Sequence, residues 1–260
     1  MTRIAKIRSL LHAAILLAIV LTSLAASAQT IAVMPVNIFL PPGEMATTIS
    51  ITNKGTAETA IQIRAYDWAI KDGEDQLAPA TALLVSPPLA TIAPGASQII
   101  RLVLRQTPAA QEVTYRILVD QIPPASSAGT VRIVVRLSLP VFAEPAAKAR
   151  PAIAFHLERS PNPKLDPKLD PQQDNLVLVG VNPGAIHDVL RKIELTTRDG
   201  MKLHTAKGAS PYILANSTQR WPIDLTGMTG PLPQPGDSIL LTAQGINTPI
   251  HEQVSLAMAH

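Results

Sequence analysis

Turn residues cut this chain into short β-rich runs, and no long amphipathic helix fits between them. The first run, 31–40 (IAVMPVNIFL), ends at Pro41-Pro42-Gly43. Residues 47–52 alternate and stop at Asn53-Lys54-Gly55. Residues 59–68 (TAIQIRAYDW) lead to Lys71-Asp72-Gly73, and 85–92 carry Pro87-Pro88 internally, which marks an edge or irregular strand. Runs at 98–105, 114–122 and 130–142 complete the series, the last being the longest. Seven such runs within a little over a hundred residues, separated by Gly, Pro and Asn turns, predict an immunoglobulin-like sandwich.

A polar, proline-flanked stretch follows, Glu144-Pro145-Ala146-Ala147-Lys148-Ala149-Arg150-Pro151. Such composition predicts an interdomain hinge, placed at 146–150. Beyond it, strand-like runs at 152–157, 175–181, 189–197, 208–214, 218–224, 238–243 and 253–258 alternate with Asn-Pro-Gly, Arg-Asp-Gly and Pro-Gly-Asp turns. The expectation is therefore all-β: two immunoglobulin-like β-sandwich domains at 29–145 and 151–260. The segment Pro163–Pro171 (PKLDPKLDP) repeats a four-residue charged unit and reads as an exposed loop.

The first 28 residues stand outside this pattern. Arg3, Lys6 and Arg8 form a basic start, Leu10 to Ala25 is almost wholly apolar, and Ala26-Ser27-Ala28 supplies small residues at cleavage spacing. This succession predicts a secretory signal peptide cut after Ala28. Its removal resets the charge. The chain holds 22 Lys+Arg and 19 Asp+Glu, and the leader holds three of the bases and no acid, so the mature part balances at 19 against 19. Nothing in that balance argues for a nucleic-acid footprint, and none is expected.

Catalytic signatures are missing. There are no cysteines, which removes thiolate nucleophiles, Cys-bound zinc and disulfide scaffolds. His156, His187, His204, His251 and His260 form no HExxH pair and no metal-ligand spacing on one element. Neither a nucleophile elbow nor a phosphate loop occurs. The expectation is a protein that is not an enzyme, with no cofactor, metal or small-molecule substrate. Aromatic residues make up only 3% of the chain, which argues against a carbohydrate platform.

The run 131–141 is the most informative. Val131, Ile133, Val135, Leu137, Leu139 and Val141 recur at period two and share one face. At about 3.3 Å per residue this row spans roughly 30 Å, long for a strand that serves only its own core. Pro140 has no N–H to give to a ladder, which suggests a sheet edge. An edge with an apolar row invites pairing with another chain, so the run is expected to be lent to a partner by β-augmentation.

Here the sequence resembles a known family. Ser86-Pro87-Pro88, Ile92-Ala93-Pro94-Gly95 and Gln98-Ile99-Ile100-Arg101-Leu102 are similar to the middle of the first domain of periplasmic pilus-assembly chaperones of the chaperone–usher pathway. Residues 114–124 (TYRILVDQIPP) resemble the same family's strand F and the loop after it, and 131–142 followed by Pro145 its donor strand G. The resemblance covers 31–145 well and the second domain loosely. It implies a periplasmic chaperone that stabilises pilus subunits by filling their open groove with strand G and delivers them to an outer-membrane usher. Val131, Ile133 and Val135 match the donor positions, with Leu137 beside them. The family's basic anchor for the carboxylate that ends the pilus subunit falls here at Asn37 and Pro140, neither of them cationic. That departure resembles the archaic branch, which serves spore-coat-U-type subunits. It leaves Arg101 and Arg116 as candidate carboxylate anchors, with Arg132 and Arg136 next. The alternative reading is a secreted structural or adhesive β-sandwich protein, which would need an N-terminal donor extension longer than residues 29–33 provide.

Overall fold

The computed structural model describes residues 31–71, 73–123, 134–160, 175–206, 210–226, 231–246 and 249–257. The leader, the PKLDPKLDP segment, and Val131 and Ile133 of the donor run lie outside the described residues. The described chain is all β-structure and turns.

Its first half forms ten strands: β1 (Ile31–Met34), β2 (Ile38–Leu40), β3 (Ala46–Asn53), β4 (Thr59–Lys71), β5 (Glu74–Pro79), β6 (Leu83–Ser86), β7 (Leu89–Ile92), β8 (Ser97–Leu104), β9 (Val113–Ile122) and β10 (Arg136–Ala143). One sheet has the order β1-β3-β8-β6. The facing sheet has the order β2-β10-β9-β4-β5, with β7 paired to the start of β4. Alternate residues of each strand point between the sheets, as period two demands. Ile49 and Ile51 of β3, Ile61 and Ile63 of β4, Ile100 and Leu102 of β8, and Ile117 and Val119 of β9 form the core.

Three runs differ from the sequence expectation. The run 31–40 is two strands in opposite sheets: β1 pairs antiparallel with β3 and β2 parallel with β10. The crossing follows Met34 at Pro35, which can donate no ladder bond. The run 85–92 divides in the same way at Pro87-Pro88, with β6 on β8 and β7 on β4. Strand β5 has no apolar alternation to announce it, since all six of its residues are exposed. It is held as the return arm of a hairpin from β4, turning through Gly73 at a φ of 82°.

The second half contains β11 (Ala154–Ser160), β12 (Asn175–Asn182), β13 (Asp188–Val189), β14 (Arg191–Thr196), β15 (Lys202–Thr205), β16 (Tyr212–Ile213), β17 (Ser217–Asp224), β18 (Ser238–Gln244) and β19 (Pro249–Ser255). Seven of these make one sheet in the order β11-β12-β17-β15-β14-β18-β19. A parallel bridge between Leu157 and Leu256 and a 2.8 Å bond from Ala257 N–H to the Leu157 carbonyl bring its two ends together. The sheet thus curls around a single core built on Trp221, Leu178, Leu195 and Leu241. Gly180 of β12 lies beneath Trp221, where a Cβ would sit 2.9 Å from the indole.

Among the described residues no strand pair joins the two halves; every pairing falls within 31–143 or within 154–256. Both halves use the same asparagine device at a strand end. Asn53 donates from Nδ2 to Ala57 O at 2.8 Å and accepts from Gly55 N–H at 2.9 Å. Asn182 donates to Ile186 O at 2.9 Å and accepts from Gly184 N–H at 3.0 Å. Each side chain stands in for a backbone turn and is fully bonded while buried. Asn182 also accepts from Ala152 N–H at 3.1 Å, which ties the incoming linker to the second half.

Candidate functional site: an open strand edge beside an interdomain cleft

Strand β10 has two unequal neighbours. It pairs with β9 along its whole length, from Arg136 opposite Asp120 to Ala143 opposite Val113. Gln121 N–H extends the ladder by bonding the Val135 carbonyl at 3.1 Å. On its other side β2 covers only Val141, Phe142 and Ala143. Residues 136–140 therefore present an edge without a strand partner among the described residues, and Pro140 sits where that edge ends.

The apolar row is divided along the same line. Leu139, Val141 and Ala143 belong to the domain's own core. Leu137 packs at the core's rim, and Val135 is half-buried. The far end of this row thus holds the domain's own fold, and the described residues before it, Val135 and Leu137, are only half-buried. The expected donor positions, Val131, Ile133, Val135 and Leu137, all precede this buried part of the row.

The even-numbered residues point the other way, onto the outer face of the sheet. There they form rows across β4, β9 and β10. Tyr66, Arg116 and Pro140 make one row, Arg64, Leu118 and Ser138 the next, and Gln62, Asp120 and Arg136 the third. Trp68 and Phe142, beyond the first row, meet Leu214 and Tyr212 of the second half in a small aromatic core. The Trp68 and Tyr212 rings meet edge to face at 5.2 Å. The first row therefore lies against the cleft between the two halves.

Arg116 is the charge in that cleft. Its guanidinium lies 3.6 Å from the Trp68 ring centroid and 5.3 Å from that of Tyr212. The residue is only 9% exposed. Burial pushes its pKa down, and the charge of Asp75 partly offsets this. An arginine stays charged nonetheless. Its ion pair is long, 3.4 Å from Nη2 to Asp75 Oδ2, and the Asp75 side chain is 42% exposed. A buried, aromatic-backed guanidinium so weakly neutralised is suited to accept a further carboxylate.

The structure does not bring Arg101 to this place. Its neighbours on β8, Ile100 and Leu102, are fully buried in the core, so Arg101 lies exposed on the outer face of the opposite sheet. Asn37 is exposed in the crossing between β1 and β2. Pro140, by contrast, stands directly opposite Arg116. Arg116 is thus one strand over from one of the two positions where the resemblance expects a cation.

Two charged groupings leave no direct trace in the sequence. Arg64 donates to Asp120 at 2.7 Å, and Arg136 hydrogen-bonds the other carboxylate oxygen. Burial alone pushes the Asp120 carboxyl up, but the hydrogen bonds from Arg136 and Arg64 outweigh it and hold the group below its ordinary value. The second grouping joins the halves. Glu112 and His187 are both buried, with Nδ1 2.7 Å from one carboxylate oxygen and 2.9 Å from the other. The imidazole stacks on Phe142 at 3.6 Å, and Glu112 N–H bonds the Ala185 carbonyl at 2.9 Å. Period-two counting along β4 and β9 would have placed Arg64, Trp68, Arg116 and Asp120 on one face. Nothing in the sequence pairs Glu112 with His187.

Residues 30–149 match the family model described as pili and flagellar-assembly chaperone, PapD N-terminal domain. No curated protein matches the chain in sequence. Among solved structures, the fold is similar to one from the CsuC–CsuE pre-assembly complex, a chaperone with a tip adhesion subunit, of the archaic Csu pili of Acinetobacter baumannii. There the TM-score is 0.63 at 20% identity, over 88% of this chain and 100% of that one. The complex of SafA pilin with the SafB chaperone of Salmonella enterica gives 0.55 at 15%, over 88% and 98%. The CupB2 chaperone of Pseudomonas aeruginosa gives 0.53 at 14%, over 87% and 100%. At such identities these structures speak for the fold, and the family match speaks for a non-enzymatic assembly chaperone. Residues 30–149 are thus an N-terminal domain of the pilus-assembly chaperone family.

Proposed function

We propose that this chaperone holds a pilus subunit on the open edge of β10, with the side chains before Leu139 filling the groove of that subunit. Val131, Ile133, Val135 and Leu137 are the donated residues, and Arg116 receives the carboxylate at the end of the bound pilin chain. The observation that carries this reading is the unequal pairing of β10: continuous on β9, but open toward its other side from 136 to 140. A strand in that position offers main-chain bonds for affinity and alternate side chains for specificity. Two apolar side chains left partly exposed at Val135 and Leu137 supply the hydrophobic contribution.

Arg116 is the better of the two candidate anchors because it lies in the cleft at the level of Pro140, whereas Arg101 faces solvent on the other sheet. The chain is further proposed to belong to the archaic branch, to act in the periplasm after removal of residues 1–28, and to pass its subunits to an outer-membrane usher. The leader motif and the lack of a cation at Asn37 and Pro140 support these points. The domain limits 29–145 and 151–260, with a hinge at 146–150, fit the strand pairing, which is confined to either side of that linker.

The test is co-expression with candidate pilus subunits and recovery of complexes. Val135→Asp and Leu137→Asp are expected to abolish recovery while the chain itself remains folded by circular dichroism. Each places an acid in an apolar groove at a cost of several kcal/mol. Undiminished recovery with both folded variants contradicts strand lending.

A further inference from the structure

The second and third rows of the cleft-side face hold a cationic centre that the proposed carboxylate anchor does not use. Arg64 from β4 and Arg136 from β10 share the single carboxylate of Asp120. Two guanidiniums against one carboxylate leave a net positive charge and most of their N–H donors unassigned. Arg64 Nε is buried and has no hydrogen-bond acceptor among the described residues. A cavity of about 430 Å3 opens beside the trio, lined by Gln62, Arg64, Ile122, Val134, Val135 and Arg136.

Two of those lining residues, Val135 and Arg136, lie at the start of the open edge. A strand laid along β10 therefore passes the mouth of this cavity. The trio also stands at a fixed distance from Arg116. Arg136 is opposite Asp120 and Pro140 is opposite Arg116, so the two cationic centres are four residues apart along β10. At about 3.3 Å per residue that is roughly 13 Å.

We propose that the Arg64–Asp120–Arg136 pocket receives an acidic side chain of the bound pilin, carried four residues before its C-terminus. This depends on β10 being the donated edge and Arg116 the anchor. Its consequence is register. A slip of one residue turns the acid to the other face, and a slip of two toward Pro140 moves it from Arg136 to the level of Ser138, where Arg64 is the one cation left in its row. Two carboxylates at fixed spacing, each met by arginine, fix one alignment of an otherwise repetitive strand, and charge pairing of this kind contributes more to selection than to bulk affinity. Asp120 keeps the two guanidiniums together and turned to the pocket while it is empty.

The experiment uses the mature chain and synthetic nine-residue peptides of alternating valine and threonine. One carries Glu four residues before a free C-terminal carboxylate, a second carries Gln there, and a third is the Glu peptide with its C-terminus amidated. Binding is read by fluorescence anisotropy at low ionic strength. The Glu peptide is expected to bind about tenfold more tightly than the Gln peptide. That advantage is expected to vanish in Arg136→Gln, whose side chain is 63% exposed and bears little of the fold, and in Arg64→Gln. Equal binding of the Glu and Gln peptides overturns the pocket, as does an advantage that survives in both variants. Loss of binding on amidation in that case leaves the Arg116 anchor standing. If none of the peptides binds, pocket and anchor fall together.

Discussion

At the scale of single residues, the cleft turns on how an arginine is kept charged and nearly unpaired. Arg116 is buried against Trp68, faces Tyr212, and reaches Asp75 only at 3.4 Å. Removing it as Arg116→Ala is expected to weaken binding of a pilus subunit by roughly 2–5 kcal/mol, measured by calorimetric titration. Arg116→Lys is expected to recover little of this, since an ammonium lacks the planar fork and stacks poorly on indole. Asp120 provides a second test at this scale. Its carboxyl is depressed in the folded chain, so it contributes stability above the ordinary carboxylate range, and that contribution is lost as pH falls through the lower, folded value. Asp120→Asn should flatten the acid limb of a plot of melting temperature against pH. A limb as steep as that of the wild type would contradict the assigned hydrogen bonds. Arg116 is legible in sequence as a cation among apolar strand residues. The surroundings that suit it to the proposed anchor role are not, because they come from Trp68 on a second strand and Tyr212 of the other domain.

Among the elements, the alternating run that ends in β10 is buried at one end and half-buried at the other. Leu139 is 6% exposed and lies in the first core, whereas Val135 is half-buried at the start of the edge. Leu139→Ala is accordingly expected to cost roughly 2–5 kcal/mol in urea unfolding. Val135→Ala should cost under about 1 kcal/mol, since no cavity is left in a packed core. Equal losses would mean that the row is packed uniformly. The alternation itself is plain in the sequence, as are Asn53-Lys54-Gly55 and Asn182-Pro183-Gly184 as strand ends. The point at which the edge opens is not, because it is set by where β2 stops covering β10, at Val141, and β2 reads in sequence as one run with β1. Strand β5 leaves no periodic trace either, as both its faces meet solvent.

For the whole molecule, the central question is what holds the two domains at a fixed cleft. Glu112 of the first and His187 of the second form a buried pair, braced by the stack of His187 on Phe142. Sequence alone does not reveal this pair, since its members are 75 positions apart and neither belongs to a motif. Deleting one partner leaves the other buried and unmatched, so His187→Ala is expected to destabilise the chain by roughly 3–5 kcal/mol. The chain has two tryptophans, and Trp68 is the one at the cleft. In a Trp221→Phe background, Trp68 fluorescence should therefore report the cleft coming apart at lower urea in His187→Ala than in the parent. The cleft matters because Tyr212 of the second domain meets Arg116 there, one strand away from the edge of β10 proposed to be lent to another protein. The most direct measurement of that lending is amide hydrogen exchange across 134–139, in the free mature chain and in its complex with a pilus subunit. The account predicts fast exchange in the free chain for those amides not bonded to β9 and slowing by orders of magnitude in the complex, with β5 unchanged. A stable complex in which 134–139 exchange as fast as before would contradict strand lending.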